Sequence, residues 1–158
     1  METVHESPAS KGRRMKIFFK ILAGALLIFN GMSALYGGLN LVVYPNGNSL
    51  GLPLDWLEHS PFENYFIPGL ILFTLIGLSS LFICVAILLD SKKYALLILI
   101  QGTILAAWIV VQIIMIRFES YLQLVYGLVA LLLIVCGRIL IKPIHSGLGE
   151  RKKGMRIA

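Results

Sequence analysis

The side chains able to do chemistry in this chain of 158 residues are few and lie in short stretches. Asp55, Glu58, His59 and Glu63 share one polar stretch, and Arg117 and Glu119 share another. Asn30, Asn40, Thr74, Gln101, Gln112 and Gln123 are uncharged polar residues inside otherwise apolar runs. Carboxylates beside a histidine suit proton transfer or metal ligation. Amides and hydroxyls in an apolar phase either orient a bound molecule or tie helices together. His59 with Glu58 and Glu63 reads as polar surface, because a zinc centre takes three or four converging ligands. Ser60 beside His59 reads as a helix cap, since no oriented third group accompanies a would-be nucleophile. Cys84 and Cys136 lie singly in apolar runs, where free cysteine behaves as a small hydrophobe; whether they touch is left open. No catalytic residue, metal site or cofactor is assigned.

The elements that must position these groups follow from composition. Apolar residues make up 58% of the chain and charged residues only 14%. Mean hydropathy is +0.85. So short a chain cannot bury that much apolar surface in one water-facing core. A bilayer is the solvent that accommodates it. A transmembrane helix needs about 20 apolar residues, and four runs qualify: about 17–43, 61–89, 94–116 and 120–141. Period-2 alternation is missing, which argues against a barrel. The expected architecture is all-α, a four-helix transmembrane bundle over 17–142. Basic tails flank it at 1–16 and 143–158, with Met1–Ser10 and Ser146–Ala158 read as mobile.

Orientation follows from the cations. Of the 14 Lys and Arg, all but Arg117 lie in the N-terminal stretch, at Lys92 and Lys93, or near the C-terminus. Asp55, Glu58, Glu63 and Glu119 lie with Arg117 on the other side. Both termini are therefore expected in the cytoplasm (N-in/C-in), in a cell membrane. The first run continues through Leu41-Val42-Val43, which reads as a retained span rather than a cleaved signal peptide. The net charge of +6 sits at helix ends, without the clustered face of a nucleic-acid binder. Membrane lipids are the expected partners, with a membrane protein or an apolar small molecule as further candidates.

Short links at Asp90–Lys93 and Arg117–Ser120 predict antiparallel hairpins. The long outer link from Tyr44 to Tyr65 opens on Pro45-Asn46-Gly47, a turn signal. Leu54, Trp56 and Leu57 then form an apolar side, with Trp56 anchored at headgroup level. Ser60-Pro61-Phe62-Glu63 resembles a capping box and predicts that the second helix begins near Pro61. Pro68 predicts a kink in that helix, and Lys142-Pro143 closes the fourth. Small residues give each helix a close-packing face: Ser33, Ala34, Gly37 and Gly38; Gly77, Ser79 and Ser80; Gly102, Thr103, Ala106 and Ala107; Gly127, Ala130 and Gly137.

With this threading, Asn40, Thr74, Gln112 and Gln123 share the outer half. Arg117 and Glu119 stand above them, and Trp56, His59 and Glu63 lie on the outer link. These nine residues define a candidate outward-facing pocket. The alternative is ordinary interhelical bonding plus solvated charge. Cys84 and Cys136 lie far from that link, which argues against a disulfide-forming enzyme. No acid lies within the apolar run of any span (Phe66–Leu89 in the second), which argues against a proton-coupled pump.

The length, the long first outer link and the stretches Gly31–Gly38 and Ile67-Pro68-Gly69-Leu70 resemble small four-helix bacterial membrane proteins of the DoxX-like type, over residues 17–141. Some DoxX-like proteins are linked to quinone-dependent oxidation, and no functional residue transfers to a named position here. Three functions are expected in order: a non-catalytic accessory or lipid-interacting factor; a binder or redox-enzyme component handling an apolar molecule such as a quinone; an oligomeric transporter or channel.

Overall fold

The computed structural model describes residues 8–58, 60–116 and 121–141. Four long helices dominate, with no strand among the described residues. They are α1 (Pro8–Val43), α2 (Phe66–Leu88), α3 (Tyr94–Ile116) and α4 (Tyr121–Ile141). Each is long and apolar enough to cross a membrane. Apolar side chains point both ways. Leu27, Ile98 and Leu133 are wholly buried between helices, while Leu88 is 82% and Leu124 75% exposed. A helix that is apolar on both faces suits an apolar surrounding.

α1 begins at Pro8 rather than near Ile17. Its 36 residues make a rod of about 54 Å, against a hydrocarbon core of about 30 Å. Proline is well placed at a first helical position, and the Lys, Arg and Met residues that follow are good helix formers. The basic stretch expected as a tail therefore continues the helix. The close at Lys142-Pro143, the tail 143–158 and the 117–120 link lie outside the described residues.

α2 begins at Phe66, later than Pro61. The capping box does not form. Ser60 Oγ instead accepts the N–H of Phe62, only two residues on, at 3.2 Å. Asn64 Oδ1 accepts the N–H of Phe66 at 3.0 Å, so a second local turn leads into the helix. With that start, Pro68 sits in the first turn, where its missing N–H breaks no helical bond. The irregularity comes later. Leu72–Leu78 is wound as π-helix before Ser79–Leu88 resumes the α form. Thr74 Oγ1 donates to Leu70 O at 2.7 Å, and Ser79 Oγ donates to Leu75 O. Such hydroxyl back-bonding competes with the helical ladder and bends it.

Glycines set the crossings. A Cβ on Gly38 would lie 2.5 Å from Phe73 N and 2.8 Å from Gly69 O, so α1 and α2 meet backbone to backbone. A Cβ on Gly137 would lie 2.7 Å from Leu99 N and one on Gly102 2.9 Å from Ile134 N, so α3 and α4 also meet closely at these two glycines. α1 packs along α2 and also touches α4. Phe29 and Tyr126 stack at 5.9 Å on that α1–α4 seam.

The two ends of the bundle differ. At one end the 44–65 link folds back over the helices. Gly47, at φ 76°, turns the chain where a Cβ would lie 2.3 Å from Leu52 O. Tyr65 N–H donates to Pro45 O at 2.8 Å, and Tyr65 Oη donates to Pro53 O at 2.7 Å. Leu57, Tyr65 and Leu41 are buried together, with Met115 of α3 against them. The expected amphipathic turn is a short 3-10 helix, Leu54–Leu57, with Leu57 inward, Trp56 half-buried and Leu54, Asp55 and Glu58 exposed. At the opposite end Ser91 N–H donates to Ala86 O at 3.0 Å and Asp90 N–H to Ile87 O at 3.2 Å. This closes α2 with Asp90 at φ 50°, the left-handed position that glycine usually fills. The Asp90 carboxylate takes Lys20 Nζ at 2.6 Å, and the same ammonium lies 5.1 Å from the Tyr94 ring centre.

Candidate functional site

Of the nine expected site residues the structure describes six. His59, Arg117 and Glu119 lie outside the described residues. Asn40 donates to Tyr36 O at 2.8 Å and Thr74 to Leu70 O, so both are turned onto their own helices. A polar side chain in an apolar phase finds the carbonyl four residues back, whose second lone pair is still free to accept. Glu63 is exposed and Trp56 half-buried on the link. Gln112 is half-buried on α3. Gln123 is half-buried on α4 and lines a groove described below.

The polar groups that do converge are others. Asn30 and Ser80 are fully buried and Gln101 is 1% exposed. Asn30 Nδ2 donates to Ser80 Oγ at 2.9 Å, and Gln101 Nε2 donates to the same oxygen at 3.1 Å. Gln101 Oε1 lies 2.8 Å from Ser79 Oγ. Gln101 Nε2 also reaches Leu75 O and Ile76 O, both at 3.4 Å, on the π-wound stretch. One amide on α3 thus reads the irregular backbone of α2, and the shared hydroxyl of Ser80 brings in α1. Asn30 Oδ1 remains without a partner.

Depth is the signal that locates this cluster. Asn30 lies ten residues from Lys20, Ser80 eight from Leu88 and Gln101 seven from Tyr94. At 1.5 Å per residue these are about 15, 12 and 10 Å from the Asp90 end. Asn30 and Gln101 stand out in the sequence as polar residues in apolar runs. Ser79 and Ser80 read there as packing residues.

Among the described residues, two of the grooves that open sideways on the bundle lie against α3. The larger, of about 1000 Å³, runs between α3 and α4 in the half nearer the 44–65 link. Ile109, Ile113, Leu124, Gly127, Leu128 and Leu131 line it, with Tyr121 and Gln123 at one end. A Cβ on Gly127 would meet nothing within 4 Å. α3 and α4 therefore close where Gly102 and Gly137 allow contact, and splay where Leu and Ile side chains face each other. The smaller, of about 240 Å³, lies between the π-wound stretch of α2 and Ile104, Ala107, Trp108 and Val111 of α3. Trp108 Nε1 is buried without a hydrogen-bond partner. Cys84 Sγ lies 3.8 Å from Gly24 O, Cys136 is buried in the core, and both are free thiols. Among the described residues no three His, Cys, Asp or Glu side chains group as metal ligands.

No protein-family model, curated protein or solved structure matches this chain. The geometry above is what bears on function: an all-helical chain with four membrane-length apolar helices, an interior polar cluster and two lateral apolar grooves.

Proposed function

We propose that this chain is a four-span membrane protein of DoxX-like layout, with both termini cytoplasmic, acting as a non-catalytic accessory or lipid-interacting factor. The observation that carries this reading is the bonding of Asn30, Ser79, Ser80 and Gln101 to one another across three helices. These interior groups hold helices together, and such bonds are worth about 1 kcal/mol each in a membrane. The residues behind the resemblance fit the same picture, since Gly31, Gly38 and Gly69 sit at the α1–α2 crossing. The cations of α1, Lys92, Lys93 and Arg138 share one end, which supports its placement in the cytoplasm. The 44–65 link then lies outside. A second reading, a handler of an apolar molecule, is favoured by the α3–α4 groove with Gln123 at its mouth.

Native mass spectrometry of the chain extracted with its surrounding lipid tests the first reading. A stoichiometric lipid or membrane-protein partner is the expected result. A chain that emerges alone from native lipid at every extraction condition overturns it.

A further inference from the structure

We infer that the α3–α4 groove holds one acyl chain of a glycerolipid from the leaflet at the link end, with the ester carbonyl level with Tyr121 and Gln123. This deepens the lipid-interacting reading and rests on the chain spanning a bilayer.

Three observations fix the occupant. The first is length. Tyr121 to Leu131 covers ten residues, about 15 Å along α4. That is half of a hydrocarbon core of about 30 Å, the depth of one leaflet. The groove stops where Gly102 and Gly137 bring the two helices into contact. A second copy or another membrane helix would need a face running the whole thickness.

The second is relief. Close helix approach relies on small residues at four-residue spacing. On this face Gly127 is flanked by Leu124, Leu128 and Leu131, with Ile113 across the groove. Those side chains hold a partner helix away but leave a channel suited to a flexible hydrocarbon chain. Gly127 is where the channel is open, since an added Cβ there meets nothing within 4 Å.

The third is polarity along the groove. Its described lining is apolar except at the link end, where the Tyr121 hydroxyl and the Gln123 amide stand. An amphipathic molecule lying parallel to α4 places its polar part there and its tail towards the midplane. A volume of about 1000 Å³ is at the upper end for small-molecule sites.

The test uses the full chain reconstituted in bilayers containing a phosphatidylethanolamine with a diazirine halfway along one acyl chain. After irradiation, labelled residues are mapped by peptide mass spectrometry. The expected result is labelling concentrated on Leu124–Leu131 and Ile109–Ile113, several-fold above the exposed α1 positions Met32 and Tyr36. Gly127→Phe starts from a Cβ that meets nothing within 4 Å, places a ring in the channel and lowers groove labelling at least about five-fold, leaving α1 labelling unchanged. Gly24→Phe is the matched control, because Gly24 is also open yet lies outside the groove; it leaves groove labelling intact. Equal labelling of all exposed faces, or groove labelling indifferent to Gly127→Phe, overturns the proposal, as does a cross-link between two copies through this face. Loss of the groove effect with a stoichiometric partner still present in native mass spectrometry removes this inference and spares the accessory reading. The reverse outcome removes that reading and spares the groove.

Discussion

The close approach at Gly38 gives the sharpest mechanical prediction. In Gly38→Ala the new Cβ would stand 2.5 Å from Phe73 N, 2.8 Å from Phe73 Cα and 2.8 Å from Gly69 O. All three are backbone atoms, so no side chain can swing aside. Ordinary carbon contacts lie at about 3.5–4.0 Å, so α1 and α2 must part by roughly 1 Å at their crossing. Overpacking of this kind costs about 1–3 kcal/mol. A better helix former returns up to about 1 kcal/mol at most. Gly127→Ala gains the same propensity and meets no atom within 4 Å. Thermal unfolding of both variants in one detergent therefore separates packing from propensity. Gly38→Ala should melt several degrees below the parent and Gly127→Ala at or slightly above it, since 1 kcal/mol shifts Tm by about 2–4 °C at this size. Equal melting of the two variants would refute the backbone-to-backbone crossing.

Other variants probe the polar contacts. Gln101→Leu removes its bonds to Ser79, Ser80 and the α2 carbonyls and should cost about 1–3 kcal/mol in detergent unfolding; Ser80 Oγ keeps one amide donor in either single variant and loses both in Asn30→Leu/Gln101→Leu, which should cost more than the sum of the two singles. Asp90→Gly removes a left-handed penalty of about 1–2 kcal/mol and an exposed pair worth about 0–1 kcal/mol; it should be neutral or stabilising, whereas Asp90→Ala loses the pair, keeps the strain and should unfold earlier. Burial pushes the Tyr65 phenol above its ordinary pKa near 10. The folded state therefore holds that proton more tightly than the unfolded chain does. Its contribution is complete below about pH 10 and is lost as pH rises through the folded value. Trp56 emission in a Trp108→Phe background should report an alkaline loosening of the link that Tyr65→Phe abolishes.

Much of the fold was legible because the information is coarse. Membrane-length apolar runs broken in the sequence by the 44–65 link, by Asp90–Lys93 and by Arg117–Ser120 define four helices whatever the details. The α1 start was not legible, because Lys, Arg and Met continue a helix as readily as they form a solvated tail. The capping box at Ser60 failed because Asn64 offers a competing turn closer to Phe66. The π-wound stretch had no distinctive signature beyond Thr74 and Ser79, whose hydroxyls serve equally in regular helices. The packing faces were partly visible. Gly38, Gly77, Gly102 and Gly137 are contact points, while Gly127 faces open space. For the site, residue type was informative and depth decisive. Asn40 and Thr74 are polar at membrane depth yet bond their own helices. Asn30 and Gln101 meet because three helices place them at one level, which antiparallel threading combined with residue counting could have shown.

Compartment-specific thiol labelling tests the threading most directly. In a background with Cys84 and Cys136 replaced, Asn46→Cys and Lys92→Cys are each exposed to a membrane-impermeant maleimide in intact cells and after lysis. Asn46→Cys should react in intact cells and Lys92→Cys only after lysis. Reaction of both positions from the same side would contradict a four-span bundle with the 44–65 link outside.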